Sequence, residues 1–429
     1  MADASHALFI PTHRLLPSRP MDSAIAEARV ASALVGRPVP LVIVDDAREG
    51  AIRAENRARC AAAGAAARAP VWFVPRSFQA ELAGAIASAL ALDVTLLIGE
   101  PLAYGRVFNL LYLIGRILGV DRFHRRDSDM AALAGAAPIA VEVELLGRPF
   151  EGVTVDVTGA TCLGDPDLRF DDCMRNERFL RAVLRSWGVM SEGFEAADRD
   201  PLTEMFRART VQPDRRVRVG LRSPDYASPG NVAFTDPVYR CIPSSPVELQ
   251  IGTDCCPFSG AQARGLGMVV HGLHIDHDQA GDRLDREGLA RYWTAMIDNG
   301  DAVNVYSRGW RRLEAWCAEH AEPDDDSVRR ELVRCLREAH ETAALDERAA
   351  TFEPLVEALD ATGVDEYRHV AARYRATGPR AVVAATGASI ERYAELLARW
   401  GDIAAWVAAR AEPLRRQLVR AGALVSCHV

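Results

Sequence analysis

"VPLVIVDDA" (Val39–Ala47) is apolar as far as Val44 and then stops on two aspartates. A short run of branched apolar residues with no polar alternation reads as a strand covered on both faces. Its neighbours follow the same grammar. "ALFIPTHR" (Ala7–Arg14) precedes it as a strand running into a proline-marked loop, and "APVWFVP" (Ala69–Pro75) follows it as a third strand. Between and after them lie helical patterns: "DSAIAEARVASALVG" ending on Gly36, an alanine-rich basic stretch at about 49–67, and another alanine-rich stretch at about 79–91. Short strands alternating with helices predict an α/β fold, a mostly parallel sheet with helices on both faces. Ligands of such sheets bind beyond the carboxyl ends of the strands, where Thr12, His13 and Arg14 fall together with Asp45 and Asp46.

The chain has 429 residues, 49% hydrophobic and 26% charged, which suits a soluble globular protein of more than one domain. Its formal net charge of −8 argues against a general nucleic-acid binder. No apolar run reaches the ~18–20 residues of a membrane span. The opening "MADASHALFIPTHR" has neither the basic flank nor the small-residue cleavage site of a signal peptide. Nine cysteines without a CxxC pair fit a reducing cytoplasm, which is the expected location. One absence excludes chemistry outright. There is no lysine, and all 51 basic residues are arginine. That removes a P-loop with its lysine, a Schiff base to pyridoxal phosphate, and a kinase of the usual pattern. Phosphate, if bound, is held by arginine, backbone N–H groups or a metal.

The middle of the chain, about 139–280, mixes strand signals with turns such as "SPDYASPGN", "IPSSP" and "CPFSG". From about Asp282 the pattern becomes helical, broken at "AEPDDDS" (Ala321–Ser327) and near "ATGVD" and "RATGPR". Two domains are expected, 1–281 and an all-helical region 282–429, with Trp293, Trp310 and Trp316 in the helical core. "DLRFDDC" (Asp167–Cys173) reads as a solvated loop, and Cys255-Cys256 as packing.

The chemistry concentrates where the apolar run "NLLYLIGRILGV" (Asn109–Val120) leads into "FHRRDSDM" (Phe123–Met130). Asp127 and Asp129 there need a partner, because burying a lone carboxylate is expensive. Arginine of the protein or a metal carrying a phosphate would each serve. On a strand, alternation would turn both aspartates the same way and Ser128 elsewhere.

In order along the chain stand "PTHR" (Pro11–Arg14), "DD" (Asp45, Asp46), Arg106 and Asn109 in "YGRVFNLLYLIG", and "DSD". Later come "GNVAF" (Gly230–Phe234), Thr253-Asp254 and "HGLHIDHD" (His271–Asp278). This series resembles the GT-A fold of nucleotide-sugar-dependent glycosyltransferases, above all their large inverting family, over about residues 7–280. That family has an "IPTYNR"-like first strand, a "VVDDGS"-like second strand and a D-x-D metal motif. Its Arg-Asn pair is adjacent, whereas Arg106 and Asn109 are separated by two residues, and its Glu-Asp stands here as Thr253-Asp254. "HRRDSD" also resembles a group of uncharacterised actinobacterial proteins found near natural-product genes, which implies that setting.

The resemblance implies a Rossmann-like GT-A domain binding a nucleoside-diphosphate sugar and a small-molecule acceptor. Pro11, Thr12, Arg14, Asp45, Asp46, Arg106 and Asn109 would grip the nucleotide. Asp127 would reach the ribose or a metal-bound water, and Arg125 or Arg126 would clamp the diphosphate or pair with the aspartates. Asp129, with Asp127 and with His274 or His277, would hold Mg²⁺ or Mn²⁺, and a histidine ligand favours Mn²⁺. Asp254 would be the base that deprotonates the acceptor. The helical region would shape the acceptor site or make a homodimer contact. Two other readings keep the fold: a nucleotidyltransferase, which lacks its usual glycine-rich loop and lysine here, and a degenerate transferase kept as a binder or scaffold.

Overall fold

The computed structural model describes residues 5–67, 70–99, 104–133, 135–160, 162–163, 214–219, 230–247, 255–277 and 286–426. In chain order these form β1 (His6–Thr12), α1 (Ser18–Val35), β2 (Leu41–Asp45), α2 (Gly50–Ala67), β3 (Val71–Pro75), α3 (Arg76–Leu90), α4 (Tyr104–Leu118), β4 (Arg122–Arg126) and β5 (Met130–Ala132). Then follow α5 (Pro138–Leu145), β6 (Pro149–Phe150), β7 (Val153–Gly159), β8 (Cys162–Leu163), β9 (Asp214–Val219), β10 (Asn231–Thr235), α6 (Asp236–Cys241), α7 (Cys256–Ala263), β11 (Gly267–Gly272) and β12 (Ile275–His277). The remainder is α8 (Arg286–Glu319), α9 (Asp325–Thr342), α10 (Leu345–Ala349), α11 (Glu353–Ala361), α12 (Asp365–Thr377), α13 (Pro379–Ala409), α14 (Ala411–Arg420) and β13 (Leu424–Ser426).

The strands line up as β13-β3-β2-β1-β4-β10-β7-β11-β9, with β6 hairpinned onto β7. Strands β3, β2, β1 and β4 run parallel, as the alternating pattern predicts. Beyond β4 the sheet becomes mixed, because β10 is antiparallel to both β4 and β7. A separate small sheet, β5-β12-β8, lies beyond the end of β4.

Both faces of the sheet are covered, which is why β2 is buried along its whole length. Leu8, Ile10, Leu41 and Ile43 face one layer, where α1 presents Met21, Ala24, Ala28 and Ala31 at helical spacing. Gly36 ends α1 in the left-handed conformation at φ +74°, its N–H bonded to the Ser32 carbonyl. Phe9, Val42, Val44 and Val74 face the other layer, formed by α3, α4 and part of the C-terminal region.

The helical region reaches back into this second layer. Leu396, Trp400, Ile403 and Val407 of α13 share one core with Phe9 and Phe108, and the Trp400 indole N–H donates to the Tyr239 carbonyl at 2.8 Å. The stretch expected to be wholly helical also supplies β13, which pairs antiparallel with β3 and completes that edge of the sheet. The short strand was illegible because three residues, "LVS", carry no alternation to read. Trp293 is buried as expected, and Trp310 and Trp316 pack against the helical core around Leu332 and Leu336. "DLRFDDC" lies outside the described residues.

Candidate functional site

The site is a cleft beyond the carboxyl ends of β1, β2 and β4. It is lined by Pro11–Arg14, Asp46, Tyr104, Val107, Phe108 and Asp127–Asp129. The strand ends are tied side by side, since Asp46 N–H donates to the Thr12 carbonyl at 2.7 Å.

The aspartate pair does not sit on a strand. β4 ends at Arg126, and Asp127–Asp129 form the turn into β5, closed by the Met130 N–H on the Asp127 carbonyl at 3.1 Å. Strand alternation therefore does not operate, and Ser128 lines the cleft together with both aspartates. Gly230 makes the turn possible: a Cβ there would lie 2.6 Å from Asp127 Oδ2 and would collide with the Met130 side chain.

Asp129 is the centre of the constellation and is only 1% exposed. Its Oδ2 accepts from Arg14 Nη2 at 3.1 Å, and its Oδ1 lies 3.3 Å from His277 Nε2. His277 arrives on β12, which pairs antiparallel with β5 in the register His277 to Met130. His274 lies three residues earlier, partly buried in the turn that precedes β12. Asp127 is more open, with 32% of its side chain exposed, and accepts from Arg125 Nη2 at 2.9 Å. The Arg125 guanidinium also stacks 3.3 Å above the Phe108 ring, so a cation–π contact fixes the arginine that holds Asp127.

Arg14 is set from its backbone. Its N–H donates to Thr12 Oγ1 at 3.3 Å, and its carbonyl accepts from Thr12 Oγ1 and Asn56 Nδ2, each at 2.9 Å. Asn56 Oδ1 accepts in turn from the Leu16 N–H at 2.8 Å. Asn56 is fully buried on α2 and escaped the sequence reading. The signal was there: Asn56 and Cys60 are one turn apart on the buried face of a helix made mostly of alanine and arginine.

The remaining expected residues separate into those at the cleft and those behind it. Asp46 is at the cleft, paired with Arg76, which also donates to the Gly99 carbonyl. Asp45 points the other way, fully buried, with Oδ1 accepting from the Ala47 N–H at 3.0 Å. Burial pushes the Asp45 carboxyl up to about 6, against the pull of the Ala47 N–H and Arg53. Arg106 is buried in the first turn of α4. Asn109 faces Ser244 and is described below with the segment it anchors.

Arg126 does not face the cleft. It is on the α1 side of the sheet, 1% exposed, bonded to Glu27 Oε2 at 2.7 Å and Glu142 Oε1 at 2.9 Å. Alternation along β4 explains the split, because Arg125 and Arg126 are adjacent and so emerge on opposite faces. Glu142 also binds His124 Nδ1 at 2.7 Å, and His124 Nε2 lies 3.0 Å from His6 Nδ1. Burial, followed by His124 and nearby arginines, pushes His6 down to about 3.

The stretch around the expected base is described only in part. Asp254 lies outside the described residues. The segment leading to it, 241–246, is buried between α4 and the helical region. Asn109 and Ser244 bond reciprocally at 2.9 and 2.8 Å, and Tyr393 OH donates to the Pro243 carbonyl at 2.7 Å. Gly105 is required here, since a Cβ would overlap the Ser245 carbonyl.

The donor set can be tested against a divalent ion. Among the described residues no three His, Cys, Asp or Glu side chains are grouped closely enough to hold one. Two are: the 3.3 Å between Asp129 Oδ1 and His277 Nε2 is close to the ~3 Å that separates adjacent ligands of an octahedral ion with bonds of about 2.1 Å. Carboxylate oxygens plus one imidazole suit Mg²⁺ or Mn²⁺, ions that keep several waters or phosphate oxygens in their shell. These two residues fit as ligands of such an ion, with the remaining positions left to water or phosphate oxygens.

A family described as one of unknown function (DUF6271) matches residues 5–169. No curated protein matches the sequence. Among solved structures the chain is similar to glucosyl-3-phosphoglycerate synthase from Mycobacterium tuberculosis in complex with phosphoglyceric acid. The identity is 15% and the TM-score 0.34, over 70% of this chain and 80% of that one. A second structure of that enzyme, in complex with Mn²⁺, uridine-diphosphate-glucose and phosphoglyceric acid, gives 14% identity and a TM-score of 0.33, over 69% and 80%. No described helix is long and apolar enough to cross a membrane.

Proposed function

We propose that this protein is a metal-dependent glycosyltransferase of GT-A type that moves a sugar from a nucleoside-diphosphate donor to a small-molecule acceptor. The observation that carries the reading is the meeting at Asp129 of side chains distant in sequence, Arg14 from the end of β1 and His277 from β12. Both belong to motifs from which the resemblance was drawn. Side chains packed merely for stability have no reason to gather at the carboxyl edge of a parallel sheet, where ligands of such folds bind.

In this reading Asp129 and His277 would hold Mn²⁺ or Mg²⁺, with Asp127 reaching the ribose or a metal-bound water, and the ion when bound would neutralise charge on the departing diphosphate. The chain's own residues do the rest. Arg14 offers a guanidinium to phosphate oxygens, a charge-assisted contact suited to planar recognition. Arg125, locked on Phe108, keeps the Asp127 carboxylate at the rim of the cleft. Asp46, fixed by Arg76, accepts from a hydroxyl or base N–H of the nucleoside. Asp254 takes the proton from the acceptor hydroxyl as it attacks opposite the leaving group. The helical region through Tyr393, and α4 through Asn109, support the segment that precedes Asp254.

A thermal-shift panel of nucleotides and nucleotide sugars, with and without Mn²⁺, tests this. A ligand at a hundred times its dissociation constant stabilises by about 2.7 kcal/mol. The expected result is a shift that needs both nucleotide and ion and disappears in Asp129→Ala. Clear shifts with no ion requirement would overturn the assignment. Ion-dependent donor binding without hydrolysis or transfer would make the protein a binder built on this fold.

A further inference from the structure

We propose that Arg14 is an internal counter-cation that passes between Asp129 and the donor's diphosphate, so that ion binding and diphosphate binding are coupled through it. The inference rests on the metal-dependent reading above and assigns a regulation to that site.

Arg14 and Asp129 are both buried, at 7% and 1% exposure, and meet at 3.1 Å. A carboxylate held that far from water requires a positive partner, and Arg14 is one. A dication ligated by the same carboxylate would lie within a few ångströms of the guanidinium. Two cations that close, shielded from solvent, repel strongly. Ligation of an ion by Asp129 and the Arg14–Asp129 ion pair therefore exclude one another, and whichever cation is absent leaves room for the other.

The geometry limits how Arg14 can yield. Its N–H and carbonyl are fastened to Thr12, and its carbonyl also to Asn56 on α2, so the main chain stays in place. What remains is rotation of the side chain. Arg14 already lines the cleft with Thr12, Asp46, Phe108, Asp127 and Ser128. A diphosphate in that cleft offers it a new anionic partner of higher charge. Once Arg14 turns to the phosphate, Asp129 is released for the ion. Linkage then makes the effect mutual: the diphosphate raises ion affinity by the same factor as the ion raises diphosphate affinity.

The test is Mn²⁺ binding followed by electron paramagnetic resonance on the full chain, with and without ADP, GDP, UDP or CDP. Wild type is expected to bind Mn²⁺ weakly alone and at least about tenfold more tightly with a diphosphate it accepts. Arg14→Gln is expected to bind Mn²⁺ alone at least about tenfold more tightly than wild type, with most of the coupling lost. Arg14→Lys keeps the charge on a different head group and should stay near wild type for Mn²⁺ alone. If Arg14→Gln is too unstable to handle, the weaker Mn²⁺ binding of Arg14→Lys relative to Arg14→Met carries the same comparison. Unchanged or weaker Mn²⁺ binding in Arg14→Gln, with binding abolished in Asp129→Asn, would overturn the exchange and leave the metal-dependent reading standing. Absence of Mn²⁺ binding in every variant, with or without diphosphate, would remove both.

Discussion

Asn109 on α4 and Ser244 in the segment before α7 hold each other by two hydrogen bonds, Nδ2 to carbonyl at 2.9 Å and N–H to Oδ1 at 2.8 Å. All four groups are buried, so Asn109→Ala strands a main-chain donor and acceptor at once. The expected loss is about 2–4 kcal/mol by chemical denaturation. Gly105→Ala, which drives a methyl into the Ser245 carbonyl, should be at least as damaging. In Asn109→Asp one bond survives and the cost should fall between wild type and alanine.

The Glu27–Arg126–Glu142 cluster predicts a pH signature. Burial alone would raise Glu142, but the Arg126 guanidinium and His124 outweigh it and hold its pKa at about 2, below the usual 4.5. A lowered carboxylate stabilises the fold above its unfolded pKa, and that contribution is lost as pH falls from 4.5 through about 2. Arg126→Met takes away the cation shared by two buried carboxylates and should cost about 3–5 kcal/mol at pH 7. Without the arginine, burial dominates and the carboxyls prefer to be protonated. The gap between variant and wild type should therefore narrow from pH 7 to pH 4 in urea titrations, and a constant gap would refute the assignment.

Asp45 carries the opposite sign. Its folded pKa of about 6 exceeds the unfolded 3.8, so its contribution is favourable below 3.8 and is lost as pH rises through 6. Asp45→Asn, able to accept the same Ala47 N–H, should raise stability at pH 7.5 by about 1–2 kcal/mol, with the two proteins converging towards pH 4. Because Asp45 faces α2 and not the cleft, nucleotide binding should be unchanged. Loss of binding would restore the nucleotide contact that the sequence alone suggested.

The two histidines of "HGLHIDHD" should separate cleanly. His277 Nε2 is beside Asp129, so His277→Ala is expected to weaken Mn²⁺ binding about tenfold or more, measured by calorimetry in the presence of the diphosphate. His274→Ala should leave the affinity within about twofold. The reverse order would transfer the role to His274.

Much of this fold was legible because a parallel sheet buried on both sides writes itself as unbroken apolar runs, and β1, β2 and β3 are such runs. The cleft followed from their ends. Side-chain direction was less accessible. "HRRDSD" reads equally as strand or turn, and only the backbone shows that Asp127–Asp129 turn after β4 while Arg126 passes to the opposite layer. Partners such as Asn56, Glu27 and Glu142 were hidden for a different reason. Each is one polar residue on an apolar helical face, and its meaning depends on what stands across the core. The short β13 left no pattern at all.

That last strand has a consequence for how the protein is made. β3 is complete by Pro75, yet its outer edge stays bare until Leu424–Ser426 emerge, about 350 residues later. At roughly 5–20 residues per second, a nascent chain carries this unpaired hydrogen-bonding edge for on the order of 20–70 seconds. An apolar strand left open that long is a template for pairing with other chains. Slow elongation or chaperone scarcity should therefore raise the aggregated fraction of this protein before any change in the finished molecule's stability is felt.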